Sequence, residues 1–292
     1  MKRFQVAGLP QPDRTLVIGV VNVTPDSFSD GGQWLEPAAA INHGLDLYAQ
    51  GADILDVGGE STRPGAVRPT RGEERRRVLP VITALAAAGV PVSVDTMRAE
   101  VAVDAVAAGA RMVNDVSGGM ADPAMLGTVA DLGSAYLAMH WRGHSDHMQD
   151  RASYTDVVAE VSAELARQVE RALAAGIHAD RLILDPGIGY AKTGAHNWTL
   201  LAELERLGEL GYPLVVGVSR KSFLGTLLAD QDGTPRPTRE RDDASAALTV
   251  VLARTGVWGV RTHTARPHRD AIAVAGQLPP ADRGRLPGTH RA

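Results

Sequence analysis

Polar or charged residues recur at one position of a repeated pattern, directly after a short apolar run. The residues at this position are Asn22, Glu60, Asp95, Asn114, His140, Asp185, Lys221, Arg261 and His263. A parallel α/β sheet brings the carboxyl ends of its strands together, so these side chains are expected to meet. Two carboxylates, an amide and an ammonium (Asp95, Asp185, Asn114 and Lys221) suit a flat heterocycle with several donors and acceptors. We predict a pyrimidinone-type ring, with one carboxylate accepting two adjacent N–H groups.

The end of the last apolar run has the composition of an anion site. Arg261, Thr262 and His263 stand immediately before a predicted helix N-terminus. In a (β/α)₈ barrel, the fold predicted below, the loops at this point usually hold phosphate. Arg63, in an earlier loop, adds positive charge. Asn22 offers an oxygen ligand for Mg²⁺, which binds few protein groups and keeps water and substrate phosphates. A turn-forming Asn22 and a helix-capping Asp95 are the alternatives for these two residues.

Other motifs for metals and nucleotides are poor matches. The histidine-rich segment with His140, His144, Asp146 and His147 matches no standard zinc spacing, so we interpret it as a polar loop. No Gly-x-Gly-x-x-Gly follows the first apolar run, and no Walker lysine loop is present. These absences argue against dinucleotide-binding and P-loop functions.

The apolar runs alternate with helical patterns eight times. Strands are predicted near residues 16–21, 53–57, 90–95, 111–116, 135–140, 182–185, 214–218 and 257–262. This count predicts a single-domain (β/α)₈ TIM barrel, and a doubly wound open sheet is the alternative. Thr70 and Glu73 predict a capping box at the start of one helix, and the run 73–77 is interpreted as the solvated face of that helix. A single helix is expected over residues 197–210.

Length and composition set the class of protein. The chain has 292 residues, of which 44% are hydrophobic, no cysteine, and a net charge of −4. We assign residues 1–14 to an N-terminal extension, 15–275 to the barrel and 276–292 to a disordered tail. The interspersed charges predict no nucleic-acid or membrane partner, and the missing signal peptide and cysteines predict a cytoplasmic location.

The motifs at the strand ends resemble those of the dihydropteroate synthases. The matches run in order along the chain, one at each of seven strand ends, and they cover all but the termini. They are Asn22 to Gly32, Asp56 to Gly65, Ser93 to Thr96, Asn114 to Gly119, Asp185 to Gly187, Ser219 to Lys221 and Arg261 to His263.

The resemblance implies a transferase of folate synthesis. Its members condense 6-hydroxymethyl-7,8-dihydropterin diphosphate with p-aminobenzoate to give 7,8-dihydropteroate and diphosphate. The implied pterin pocket consists of Asp95, Asn114, Met139, Asp185 and Lys221. The implied phosphate ligands are Thr62, Arg63, Arg261, Thr262 and His263, with Mg²⁺ on Asn22. The implied p-aminobenzoate site, which sulfonamides would share, consists of Phe28, Pro64, Lys221 and Ser222.

The two loops that carry Asp30 and Arg63 are short, polar and bounded by glycines. Asp30 and Arg63 carry opposite charges on loops from adjacent strands, so we expect loop closure to bring them together and assign both, with Lys221, to catalysis. The resemblance also implies a homodimer. A corrinoid-linked methyltransferase barrel and a catalytically silent pterin-binding relative are the alternative functions. The diphosphate set and the intact loop motifs argue against them.

Overall fold

A computed structural model describes residues 4–24, 37–60, 68–144 and 148–279. The strands are β1 Leu16–Asn22, β2 Ile54–Gly58, β3 Val92–Asp95, β4 Met112–Asp115, β5 Ala135–Met139, β6 Leu182–Asp185, β7 Val215–Val216 and β8 Gly259–Thr262. The helices are α1 Pro37–Ala49, α2 Arg71–Ala87, α3 Ala99–Ala107, α4 Met125–Leu132, α5 Val157–Ala174, α6 Gly194–Ala202, α7 Leu204–Gly208, α8 Ser222–Leu227, α9 Asp242–Thr255 and α10 Arg266–Gln277. Short 3₁₀ turns cover Met148–Arg151, Ala179–Arg181 and Thr238–Arg241.

All eight strands pair in parallel in one sheet. Their order is β6-β5-β4-β3-β2-β1-β8-β7. The two ends of this order meet at the bridge between Leu184 and Leu214, next to a hydrogen bond of 2.9 Å from Leu184 N to the Pro213 carbonyl. The predicted (β/α)₈ barrel is therefore confirmed, and the open doubly wound sheet is excluded.

The period-two pattern of the strands separates two cores. Outward-facing residues such as Val57, Val92 and Val113 pack under the surrounding helices. The inward-facing residues at the amino end of the strands form a second apolar cluster that includes Ile18, Ile54, Met112, Leu137 and Ile183. The period of two therefore holds in β3 and β4, because Met112 lies inside the barrel whereas Val92, Val94 and Val113 lie outside.

The N-terminal segment closes the barrel at the amino ends of its strands. Val6 and Leu9 are buried with Trp258 in the inner cluster, and Ala7 N donates to the Asp180 carbonyl at 2.9 Å. At the other terminus α10 extends to Gln277, two residues beyond the predicted barrel boundary, and the remainder of the predicted tail from 280 lies outside the described residues. None of the helices in the described part of the chain is long and apolar enough to cross a bilayer.

Three local predictions require correction. The helix expected over 197–210 is two helices, α6 and α7, which meet at Glu203. Thr70 caps α2 by accepting from Glu73 N, but the Glu73 carboxylate binds Arg76 and Arg77 instead of completing a capping box. The solvated-face interpretation of 73–77 is wrong for Glu74, which is buried.

Glu74 is buried because tertiary partners satisfy its carboxylate. It accepts from Thr96 Oγ1 at 2.5 Å and pairs with the Arg98 guanidinium. Arg98 also lies 3.3 Å from the Glu60 carboxylate. Burial raises the pKa of Glu74, and the contacts with Thr96 and Arg98 oppose this shift. The network joins α2 to the ends of β2 and β3, where the candidate site begins.

Candidate active site

The strand register places three of the predicted site positions in one row with Gly58. Asn22 pairs with Gly58, Gly58 with Asp95, and Asp95 with Asn114 across β1 to β4. A Cβ on Gly58 would lie 3.7 Å from Asn22 Oδ1 and 3.4 Å from Asp95 Cβ. Gly58 therefore leaves space in which the amide and carboxylate side chains approach each other.

Arg261 joins two carboxylates in this mouth. Its Nε donates to Asp56 Oδ2 at 2.6 Å, and its Nη2 donates to Asp95 Oδ2 at 2.7 Å. Asn114 Nδ2 also donates to Asp56 Oδ2, at 2.8 Å. Arg261 thus belongs to a chain of hydrogen bonds from Asp95 through Asp56 to Asn114, on the predicted heterocycle side. Its predicted contact with phosphate stays a prediction.

Asp56 is the site residue that the strand-end pattern missed. It lies inside β2, two residues before the strand ends, and is completely buried. Among the described residues its Oδ1 has no hydrogen-bond partner. The signal was available in the period of two, because Ile54 faces the barrel interior and Asp56 must face the same way.

The Asp95 carboxyl has a raised pKa. Burial is the main cause that raises the pKa of Asp95, and the nearby Asp56 carboxylate adds to the shift while Arg261 opposes it. The pKa of Asp95 stays above its ordinary value in spite of the arginine, so burial outweighs the favourable charge contact at this position.

The opposite wall of the mouth is made by the ends of β6 and β7. Asp185 Oδ1 accepts from Gly187 N at 2.7 Å. Lys221 Nζ donates to the Ile188 carbonyl and lies 4.9 Å from the centre of the Tyr190 ring. Burial lowers the pKa of Lys221 to about 8, against the opposing effect of Asp185, and burial raises the pKa of Asp185.

One cavity contains most of the predicted heterocycle ligands. Asn114, Asp185, Lys221, Arg261 and His263 line it together with Met139 and Tyr190. Met139 also packs with Met97 and Val116, and Tyr190 lies against this apolar group. The cavity combines an apolar wall with a charged edge, which is the composition of sites for small aromatic ligands.

Strand β8 separates the predicted anion ligands. Arg261 faces the mouth, but Thr262 faces the helices and is fully buried. Thr262 Oγ1 lies 2.6 Å from His268 Nε2 and donates to Ser219 Oγ at 3.4 Å. The Thr262 side chain therefore lies on the helix side of β8, because consecutive strand residues point to opposite faces, and its predicted substrate contact stays a prediction.

His263 returns to the cavity side. His263 Nδ1 lies 3.0 Å from Ser219 Oγ, and His263 N donates to the same oxygen at 3.2 Å. Ser219, which sequence analysis did not select, lines the cavity with His263. Ser222 is the exposed first residue of α8, one position after Lys221.

Several predicted residues lie outside the described part of the chain. They are Phe28, Asp30, Thr62, Arg63 and Pro64. The same holds for Asp146 and His147 of the histidine-rich segment. His140 of that segment is completely buried at the end of β5, with Nε2 2.8 Å from Glu164 Oε2 and Nδ1 2.9 Å from Lys192 Nζ.

The donor set fits Mg²⁺ only as a substrate-bridging ion. The described residues contain no group of three or more His, Cys, Asp or Glu side chains arranged to hold a metal. Asn22 supplies one hard oxygen at the mouth, beside Asp95. Because Mg²⁺ takes few protein ligands when substrate phosphates complete its shell, one amide oxygen is consistent with it.

Comparisons with known proteins agree with this geometry. The family model described as "Pterin binding enzyme" matches residues 18–263. Dihydropteroate synthase of Mycobacterium leprae is 52% identical over 261 residues, 89% of this chain and 92% of that protein. The Xanthomonas albilineans enzyme with 4-aminobenzoic acid is 45% identical with a TM-score of 0.83, over 91% of this chain and 95% of that one. The same enzyme in complex with 7,8-dihydropteroate is 42% identical with a TM-score of 0.82, over 95% of this chain and 100% of that one. This chain belongs to the dihydropteroate synthase family of pterin-binding enzymes.

Proposed function

We propose that the mouth of this barrel condenses 6-hydroxymethyl-7,8-dihydropterin diphosphate with p-aminobenzoate. Membership of the family makes the chain a transferase of folate synthesis. The observation that carries the assignment of the site is one cavity shared by Asn114, Asp185 and Lys221 beside Met139. Its chemistry matches the pterin half of 7,8-dihydropteroate, the molecule in complex with the Xanthomonas relative.

Each polar side chain has a role that follows from its chemistry. Asp185 accepts from the 2-amino group and N3–H of the pterin, since a carboxylate accepts two parallel bonds. Lys221 donates to ring acceptors, and Asn114 both donates and accepts. Asp95 faces the ring from the row that contains Asn114. Met139 packs on the ring face.

Departure of diphosphate is the step that cations assist. Arg261 and His263 bind the diphosphate oxygens, which requires Arg261 to exchange one of its carboxylate contacts for phosphate. Asn22 would hold Mg²⁺ on the same diphosphate, where the ion neutralises the charge of the leaving group. The bond between the pterin methylene carbon and oxygen breaks, and diphosphate leaves with the electron pair.

The second substrate then supplies the nucleophile. The methylene left behind is cationic and conjugated with the pterin, and the Asp95 and Asp185 carboxylates stabilise its charge. The aniline nitrogen of p-aminobenzoate forms the new bond and loses one proton. Phe28, Pro64, Lys221 and Ser222 form its site, which sulfonamides would occupy in competition. Asp30 and Arg63 close the loops over it. No protein nucleophile is required.

The test is diphosphate release from the pterin substrate, measured with and without p-aminobenzoate and Mg²⁺. Release that depends on both, with formation of dihydropteroate, is the expected result. Binding of the pterin diphosphate without turnover would instead identify a silent binding protein. Arg261→Ala should weaken the diphosphate substrate strongly and a pterin without phosphates only slightly, whereas equal losses would remove Arg261 from the phosphate site.

A homodimer through α9 and α10 is part of the proposal. Val251 on α9, Val274 on α10 and Leu278 directly after α10 are 52%, 55% and 45% exposed. Burial of this apolar patch against a second copy of the chain is favourable. Light scattering should give twice the monomer mass, and Val251→Glu should lower it. We also propose a cytoplasmic location, which the cysteine-free composition favours.

A further inference from the structure

Lys192 lies behind the loop that follows β6 and is almost completely buried. Its Nζ donates to the Gly187 carbonyl and the Tyr190 carbonyl, each at 3.0 Å. The third contact of Nζ is His140 Nδ1, at 2.9 Å. A lysine ammonium has three N–H donors, so the three acceptors satisfy it completely.

The acceptor His140 is itself fixed from the other side. Because Nδ1 accepts from the ammonium, the ring is neutral and Nε2–H donates to Glu164 Oε2 at 2.8 Å. Burial and the nearby Lys192 charge lower the pKa of His140 to about 4, consistent with a neutral ring. Arg142 Nη2 holds the other Glu164 oxygen at 2.5 Å. A chain of hydrogen bonds thus joins α5 to the Lys192 amino group, whose pKa burial lowers to about 7.

The segment held by Lys192 is also the wall of the pterin pocket. Gly187 N donates to Asp185 Oδ1, and the Ile188 carbonyl accepts from Lys221. The Tyr190 ring lies beneath the Lys221 ammonium. Lys192 therefore binds the Gly187 and Tyr190 carbonyls from behind, and Lys221 binds the Ile188 carbonyl between them from the pocket.

The choice of lysine here is informative. The chain has 27 arginines and only three lysines, of which two are Lys192 and Lys221. The space behind the loop is narrow, since a Cβ on Gly187 would lie 2.4 Å from the His140 carbonyl oxygen and 3.4 Å from Lys192 Nζ. A compact ammonium reaches three acceptors in such a space, whereas a planar guanidinium does not.

We propose that Lys192 is a positioning residue for pterin recognition, acting through the loop 187–190 and supported by His140 and Glu164. It sets the distance between the Asp185 carboxylate and the Lys221 ammonium without touching the substrate. This inference rests on the pterin pocket proposed above. It predicts that loss of Lys192 weakens the pterin contact and spares the diphosphate contact, since the row with Arg261 is formed by other strands.

The experiment measures two ligands separately by calorimetry in the full-length protein, with 6-hydroxymethylpterin and Mg²⁺-pyrophosphate as probes. Lys192→Met should raise the Kd of the pterin by at least about tenfold, because small misplacements of binding groups are costly. The Kd of pyrophosphate should change by less than about twofold, and kcat at saturating substrate should stay within about threefold of the wild type.

Glu164→Gln provides a milder second variant because Glu164 is only half-buried on α5. It should raise the pterin Kd by about threefold with the same selectivity. The matched control is Glu170→Gln, an exposed position on the same helix, which should change neither Kd.

Three outcomes with the variants overturn the proposal, and a fourth concerns the wild type. The first is near-native pterin affinity in folded Lys192→Met. The second is an equal loss for both probes together with a fall in Tm, which would indicate a purely structural lysine. If Lys192→Met does not fold, unchanged pterin affinity in Glu164→Gln is the third. A wild-type chain that binds pyrophosphate but no pterin would overturn the pocket itself, and Lys192 with it.

Discussion

The two ends of the barrel interior differ sharply although the same strands build both. Near the amino ends the inward residues are Ile54, Met112 and Ile183, in a closed apolar cluster. Two residues further along the same strands stand Asp56, Asn114 and Asp185. Because side chains alternate, a shift of two residues keeps the direction and changes only the depth. The apolar layer therefore contributes to the core, and the polar layer carries the side chains of the proposed pterin pocket.

The polar layer is costly to the fold, and its partners are arranged to limit this cost. Asp56 and Asp95 share Arg261, whereas Asp185 has the Gly187 amide and the neighbouring charge of Lys221. A buried charge without such partners would be strongly unfavourable. The comparison between the layers can be tested by changing equivalent positions in each.

The largest expected effect is in the apolar layer. Ile183→Ala should reduce the free energy of unfolding by about 4 kcal/mol, because it removes buried methyl groups and leaves a cavity. Urea unfolding measures the loss. The variant that remains folded should keep kcat/KM within about threefold of the wild type. A selective loss of activity without a loss of stability would contradict the division between the layers.

Asp185→Asn, two residues further along β6, should give the opposite result. The amide cannot accept from both pterin N–H groups, so pterin affinity should fall by more than about 100-fold, or roughly 3 kcal/mol. Stability should change little because Oδ1 still accepts from Gly187 N. Calorimetry and urea unfolding on the same sample check both parts. Near-native pterin affinity in the folded variant would remove Asp185 from the pocket.

Arg261→Met tests how much the stability of the fold depends on the arginine that contacts the buried carboxyl groups of the polar layer. In the wild type burial raises the pKa of Asp95 to about 8 even though Arg261 opposes the shift. Without the guanidinium the folded state binds protons more tightly than the unfolded state, whose aspartates titrate near 4. Stability must then fall as pH rises between about 4 and at least 8.

Urea unfolding at two pH values measures this effect. Relative to the wild type, Arg261→Met should lose at least about 1 kcal/mol more at pH 9.5 than at pH 7, because wild-type Asp95 ionises above about pH 8 whereas Asp95 of the variant stays protonated. Arg206→Met, which breaks an exposed pair with Glu203, is the control and should show no such pH-dependent difference. A variant of Arg261 whose stability deficit grows toward acid pH would show that the sign is wrong.

The smallest effect concerns the alkaline side of the activity profile. Burial lowers the pKa of Lys221 to about 8, so its ammonium is lost at lower pH than in a free lysine. We expect kcat/KM to fall above about pH 8 in the wild type. Lys221→Arg should be several-fold less active, but its kcat/KM should not fall above about pH 8, because arginine does not titrate in this pH range. An unchanged fall in kcat/KM would assign the titration to another group, with Lys192 as the candidate.

The sequence by itself determined the barrel and the position of its site. Hydrophobic period and turn residues are local properties, and they located all eight strands within a few residues. The ends of those strands then placed Asp95, Asn114, Asp185, Lys221 and Arg261 at one mouth. For Thr262, the same alternation already indicated the opposite face.

Only the tertiary structure decided which charged groups pair with one another. Arg261 meets Asp56 across 205 positions of sequence, Lys192 meets His140 across 52, and Glu74 is buried by Thr96 from the next strand. Such pairings depend on three-dimensional distance and on desolvation, which no local pattern encodes. The type of each residue and its depth on a strand follow from sequence, whereas its partner, its proton affinity and its exposure follow from packing.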